Sequence, residues 1–204
     1  MSELLFNELP RPTFRWLRVN HTVSSLAGED TAVQSIAVEA NKNILSPLPV
    51  GTALLDGNYE GANKEAVHVL VEKAEGYAIN VPPKAKEVVG IRIDANARVA
   101  NRFQFIVGEG AELEVQFYVT GSGDALTNVS YLNEYDVKEA GKVVVKKVNL
   151  LPEHVQHIEH RYTKLEEKAD VEYINIEIGG SENILNYYHD LVGQESRMVH
   201  DIAY

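Results

Sequence analysis

The clearest signal along the chain is a period of two. From Glu112 to Thr120, Leu113, Val115, Phe117 and Val119 alternate with Glu112, Glu114, Gln116 and Tyr118. Successive side chains of an extended strand point to opposite sides, so the apolar set predicts a strand with one buried face. Similar runs fall at residues 91–99, 103–107, 127–137, 142–150, 155–162, 173–178 and 184–189. Gly108-Glu109-Gly110, Gly121-Ser122-Gly123-Asp124, Ala140-Gly141 and Gly179-Gly180-Ser181 separate them and predict turns. No fixed period links these glycines. The pattern alone therefore admits a sandwich, a barrel or a parallel β-helix with unequal corner loops.

The N-terminal part is mixed. An extended stretch at Thr13–Val19 precedes a helix predicted over Gly61–Ala74, with Ala66, Val67, Val69, Leu70 and Ala74 on one side and expected to pack on a small sheet. Gly76 and Pro82-Pro83 interrupt the pattern. They place a boundary between a mixed α/β subdomain at 1–85 and an all-β core at 86–204. The sequence stops at Asp201-Ile202-Ala203-Tyr204 inside a predicted strand, which leads us to expect a shortened core whose open sheet edge pairs with another chain.

Composition narrows the chemistry. The 204 residues suffice for one globular core, and the net charge of −11 disfavours binding to a phosphate backbone. No apolar run reaches the roughly 20 residues that span a bilayer, and the start lacks a secretory layout, so a soluble cytoplasmic protein is expected. With no cysteine, the chain supplies no thiolate nucleophile and no cysteine ligand to a cluster.

The sharpest local cluster is His154, His157 and His160, flanked by Glu153 and Glu159. These residue types suit zinc or iron, and they form the candidate metal site. On a strand, however, His157 points away from His154 and His160. The plainer reading is histidines facing solvent or lining an interface. His189-Asp190 and His200-Asp201 resemble acid–base pairs, but adjacent strand residues face opposite ways. Arg11, Arg15, Trp16 and Arg18 form a basic-aromatic cluster read as docking the N-terminal segment. No catalytic residue is expected.

Longer stretches carry a family likeness. GYAINVPPKAKEVVGIRI, FIVGEGAELEV and HRYTKLEEKADVEYINIEIGGSENILNYYHDLVGQESRMVHDIAY resemble the core of SufB and SufD, the scaffold subunits of SUF iron–sulphur cluster assembly, and LPRPTFRWLRVN is similar to the start of SufD-type members. The resemblance implies a right-handed parallel β-helix behind a small N-terminal subdomain. It also implies a non-enzymatic scaffold that pairs with a SufB-like subunit, or with itself as a homodimer. In the family a helical C-terminal segment docks the SUF ATPase; no such segment is seen before Tyr204. The family uses a SufB cysteine and a SufD histidine. Neither maps onto a residue here, and a cysteine-free chain fits SufD better than SufB. An iron–sulphur cluster is then expected only at the level of the complex, with no cofactor held by this chain alone. The competing readings are a carbohydrate-active or surface-binding β-helix and a small histidine-metal β-barrel.

Overall fold

The computed structural model describes residues 4–6, 22–24, 36–55, 64–96, 98–122 and 127–204. The predicted extended stretch at Thr13–Val19 and the cluster of Arg11, Arg15, Trp16 and Arg18 lie outside the described residues. A small antiparallel pair joins β1 (Leu4–Phe6) to β2 (Thr22–Ser24). Next come β3 (Ile36–Glu39), β4 (Leu45–Leu48), α1 (Lys64–Lys73), β5 (Gly76–Val81), β6 (Lys86–Asp94), β7 (Val99–Val107) and β8 (Glu112–Thr120). The chain continues through β9 (Thr127–Val137), β10 (Lys142–Asn149), β11 (Val155–Leu165), β12 (Asp170–Glu177), β13 (Glu182–Leu191) and β14 (Arg197–Ala203).

From β5 onward the strands go alternately to two six-stranded sheets, ordered β14-β12-β10-β8-β6-β3 and β13-β11-β9-β7-β5-β4. We call these the even and the odd sheet. From β7 onward each strand pairs in parallel with the strand two places before it. The result is a parallel β-solenoid of about four turns. This register decides among the three all-β architectures that alternation left open, since a sandwich or up-and-down barrel needs antiparallel neighbours. At the first coil, β3 on β6 and β4 on β5 pair antiparallel.

The coils stack through one repeated corner. Lys84, Gly110, Ala140, Lys168 and Glu195 all have positive φ, between 55° and 62°. Each of the first four donates its N–H to the next corner: Lys84 to Glu109, Gly110 to Glu139, Ala140 to Glu167 and Lys168 to Gln194. Only one of the five is glycine, which is why the glycines showed no period although the structural repeat is regular. Gly193 has a different task. A Cβ there would run into the backbone of Glu166 and Glu167 in the preceding coil.

Pro82-Pro83 lies in the first of these corners, and β5, upstream of it, already belongs to the parallel odd sheet. The prolines thus mark a corner of the first coil. Helix α1 lies against β7 and β9 on the outside of the odd sheet. Its buried residues are Ala66, Val67, Leu70 and Val71, with Ala74 buried just after its end, whereas Val69 is 39% exposed. The expected stripe is therefore corrected at one position: Val71 follows Val67 by four residues and shares its face, which Val69 cannot.

The main core fills the space between the sheets, from Ile79, Val89, Phe103 and Phe105 through Val115, Phe117, Val143, Val145, Val171 and Tyr173. Two smaller clusters lie outside it. One holds Val67, Leu70, Val71 and Ala74 with Leu132 and Tyr162; the other holds Ala66, Ile158 and Ile184.

Candidate functional site

Toward the later coils the inward positions stop being apolar. On β10 the buried set runs Val143, Val145, Lys147, Asn149, and on β12 it runs Val171, Tyr173, Asn175, Glu177. On β11 the inward set is bracketed by Val155 and Leu165 and contains His157, Glu159, Arg161 and Thr163, all fully buried. Two sheets that each obey a period of two thus bring two cations and two carboxylates into one buried space.

Glu159 is the hub. Its Oε2 accepts from Lys147 Nζ at 2.6 Å and from Tyr187 OH at 3.2 Å, and its Oε1 accepts from Asn133 Nδ2 at 2.9 Å and Arg161 Nη2 at 2.6 Å. Lys147 lies 2.6 Å from Glu177 Oε1 as well, so a single ammonium bridges both carboxylates. The Arg161 guanidinium carbon lies 4.3 Å from the ring centres of both Tyr173 and Tyr187. Those π faces accept a cation that burial would otherwise destabilise.

The protonation states follow from this arrangement. Burial pushes the Glu159 carboxyl up, but Arg161 and Lys147 outweigh it and hold the group well below the usual carboxylate range. Glu177 is raised, because burial and the nearby Glu159 charge exceed the help from Lys147. Burial, assisted by the Lys147 charge, lowers His157 to about 3. Its Nε2 lies 3.0 Å from Tyr131 OH and its Nδ1 lies 3.0 Å from Asn183 Oδ1. The Tyr131 hydroxyl is driven well above its ordinary value by burial and then by Glu159. At neutral pH the space therefore holds neutral imidazoles, neutral phenols, and charges fixed by their partners.

The three histidines of the candidate metal site are not brought together. His154 lies in the turn before β11, His157 faces the interior, and His160 faces the outer side of the odd sheet, near Asn186 at 3.3 Å. Strand alternation separates His157 from His160. Among the described residues no group of three His, Cys, Asp or Glu could hold a metal ion. His189 and His200 turn inward while Asp190 and Asp201 are exposed, so neither adjacent pair forms an acid–base couple. Instead the two imidazoles meet each other across the sheets, with ring centres 6.2 Å apart.

Sequence reasoning missed the hub itself. Lys147 carries no signal of its own in the sequence, and Glu159 reads only as a flank of the histidines. One signal was available: in VQHIEHRYTKL, Val155 and Leu165 are an even number of residues apart, which assigns Glu159 and Arg161 to the same face as two core residues.

The comparisons with known proteins agree with the solenoid. The family model described as SUF system FeS cluster assembly, SufBD core domain, matches residues 91–204, more than half of the chain. No curated protein and no solved structure gives a match. The match begins within β6 and runs through every later coil, including all the strands that build the charged interior, and it is on this ground that the chain belongs to the SufB/SufD family of SUF iron–sulphur cluster assembly.

Proposed function

We propose that the chain acts as a SufD-like scaffold subunit: it contributes a rigid solenoid and no catalytic group, and it pairs through the β13 and β14 edge with a SufB-like subunit or with a second copy of itself. The observation that carries this reading is a family core with no cysteine. Cluster building on sulphur needs a thiolate, and a partner must supply it. The iron–sulphur cluster is then cargo of the complex. The SUF ATPase joins as a further partner on the family's pattern.

Two features support the edge as the pairing surface. Among the described residues β13 and β14 end the strand order of their sheets, and strand edges pair readily with another chain. Large apolar side chains are exposed close to them, with Ile178 at 70% and Val192 at 54%.

Size-exclusion chromatography with light scattering, on the chain alone and with a SufB-like subunit, tests the proposal. A heterodimer, or a homodimer in isolation, is expected, and Leu191→Lys with Val192→Lys should abolish it without changing the circular dichroism spectrum. A chain that stays monomeric in both settings would overturn the pairing. Cluster formation at an unchanged rate when the chain is omitted from the complete assembly mixture would overturn the scaffold role.

A further inference from the structure

The outer face of the odd sheet carries a second buried ion pair, separate from the interior network. Arg102 on β7 and Glu134 on β9 are both fully buried, with Nη2 to Oε2 at 3.6 Å. Their remaining hydrogen bonds reach outward. Arg102 donates to the Val71 carbonyl of α1 at 3.2 Å and to the Thr52 carbonyl. Glu134 Oε1 accepts the Leu54 N–H at 3.2 Å, while Gln104 Nε2 holds Oε2 at 2.9 Å. The Gly51 N–H donates to the Val71 carbonyl at 2.7 Å, which ties the 51–55 segment to the helix.

We propose that α1 and the Gly51–Leu55 strap form one cover, latched by Arg102 and Glu134, that opens as a unit while the solenoid stays folded. Three features of the packing support it. The apolar contacts under the cover form two small clusters of their own, and no residue of α1 belongs to the main core. Proteins open locally where few buried apolar contacts and a small set of hydrogen bonds hold a segment. The charges of the latch are also all on the solenoid side. Gln104 and Glu134 are register partners on neighbouring strands, so when the cover lifts, Arg102, Gln104 and Glu134 keep one another and gain water. In the latch contacts of the described residues the cover contributes main-chain groups only, so lifting it parts neither Arg102 nor Glu134 from the other. The open form uncovers Leu132, Ile158, Tyr162 and Ile184, an apolar strip across β9, β11 and β13.

Hydrogen exchange by mass spectrometry on the full chain, over a series of low urea concentrations, tests this. In the wild-type protein, amides of α1 and the strap should exchange at least about 100-fold faster than those of β8 and β10, with a weaker dependence on urea. Arg102→Lys, which keeps the charge but loses the planar fork, and Glu134→Gln should each speed exchange in the cover by about tenfold and leave β8, β10 and β12 at the wild-type rate. Equal protection and equal urea dependence of cover and solenoid in the wild-type chain would overturn the proposal. So would variants that accelerate the solenoid strands as much as the cover.

Discussion

The first coils and the later coils of this solenoid share the same corners, the same parallel register and the same alternation, yet their interiors differ in kind. Between β5, β6, β7 and β8 the filling is Ile79, Val89, Ile91, Phe103, Phe105, Val115 and Phe117. Between β9 and β12 the equivalent inward positions hold Lys147, Glu159, Arg161 and Glu177 beside the apolar residues. The first interior is held by removing apolar surface from water, which is insensitive to partner identity. The second is held by complementarity, and each charge is tolerable only while its partners are present. A buried ion-pair network is a weak source of net stability. The first coils hold one buried polar side chain at an inward position of β7, Asn101, and no charge among the inward residues named above, so the charged filling is a feature of the later coils and not a requirement of the fold.

The largest expected effect tests that dependence. Glu159→Ala removes the hub and leaves Lys147 and Arg161 buried without their shared carboxylate, so urea unfolding should show a loss of about 3–5 kcal/mol. A loss below about 1 kcal/mol would mean that the interior is wet and that the contrast between the two halves is false.

Acid should separate the halves next. Folded His157 and His160 titrate near 3 and near 4, against 6.5 for the ordinary group, because burial keeps both neutral. Between about pH 6.5 and 4 the unfolded chain binds these protons and the folded chain does not, so stability falls as pH falls through that window. Together the two sites are expected to remove about 3 kcal/mol or more over it, read as a falling thermal midpoint. The raised Glu177 binds its proton more readily when folded and opposes the trend, while the depressed Glu159 adds to it at still lower pH. A midpoint that is flat from pH 7 to pH 4 would contradict the neutral, buried imidazoles.

The smallest effect lies in the first coils. Ile91→Val deletes one methylene from the apolar filling and should lower stability by about 1 kcal/mol. That loss should be the same at pH 7 and pH 5, since Ile91 lies in the apolar cluster with Val38 and Phe117 as its register partners. A pH-dependent loss would couple the two interiors and blur the comparison.

Much of this was legible from residue order, and the limits were specific. The run at Glu112–Thr120 is β8 with its predicted faces, and the predicted helix at Gly61–Ala74 is α1 at Lys64–Lys73. The odd sheet was harder. β9 and β11 are buried on both faces, with α1 against the outer side of β9, so their polar and apolar residues alternate without a wet side to mark direction. The corner repeat was hidden for a different reason. Its defining feature is a positive φ, and lysine, alanine and glutamate adopt it at four of the five corners. The histidine cluster shows that closeness in sequence is not closeness in space, since strand alternation puts His157 and His160 on opposite faces of β11.

The order of residues by itself determined that the second half of the chain is built of short strands with buried alternate positions, where most of them turn, and that no thiolate is available. These are local properties, set by side-chain type and a period of two. Only the tertiary structure decided that the strands stack in parallel, that Lys147 of one sheet meets Glu159 of the other, and that Arg102 and Glu134 face the helix. Those outcomes depend on register between strands roughly 30 residues apart along the chain, and pairing energies at that range come from the assembled coil rather than from any segment alone.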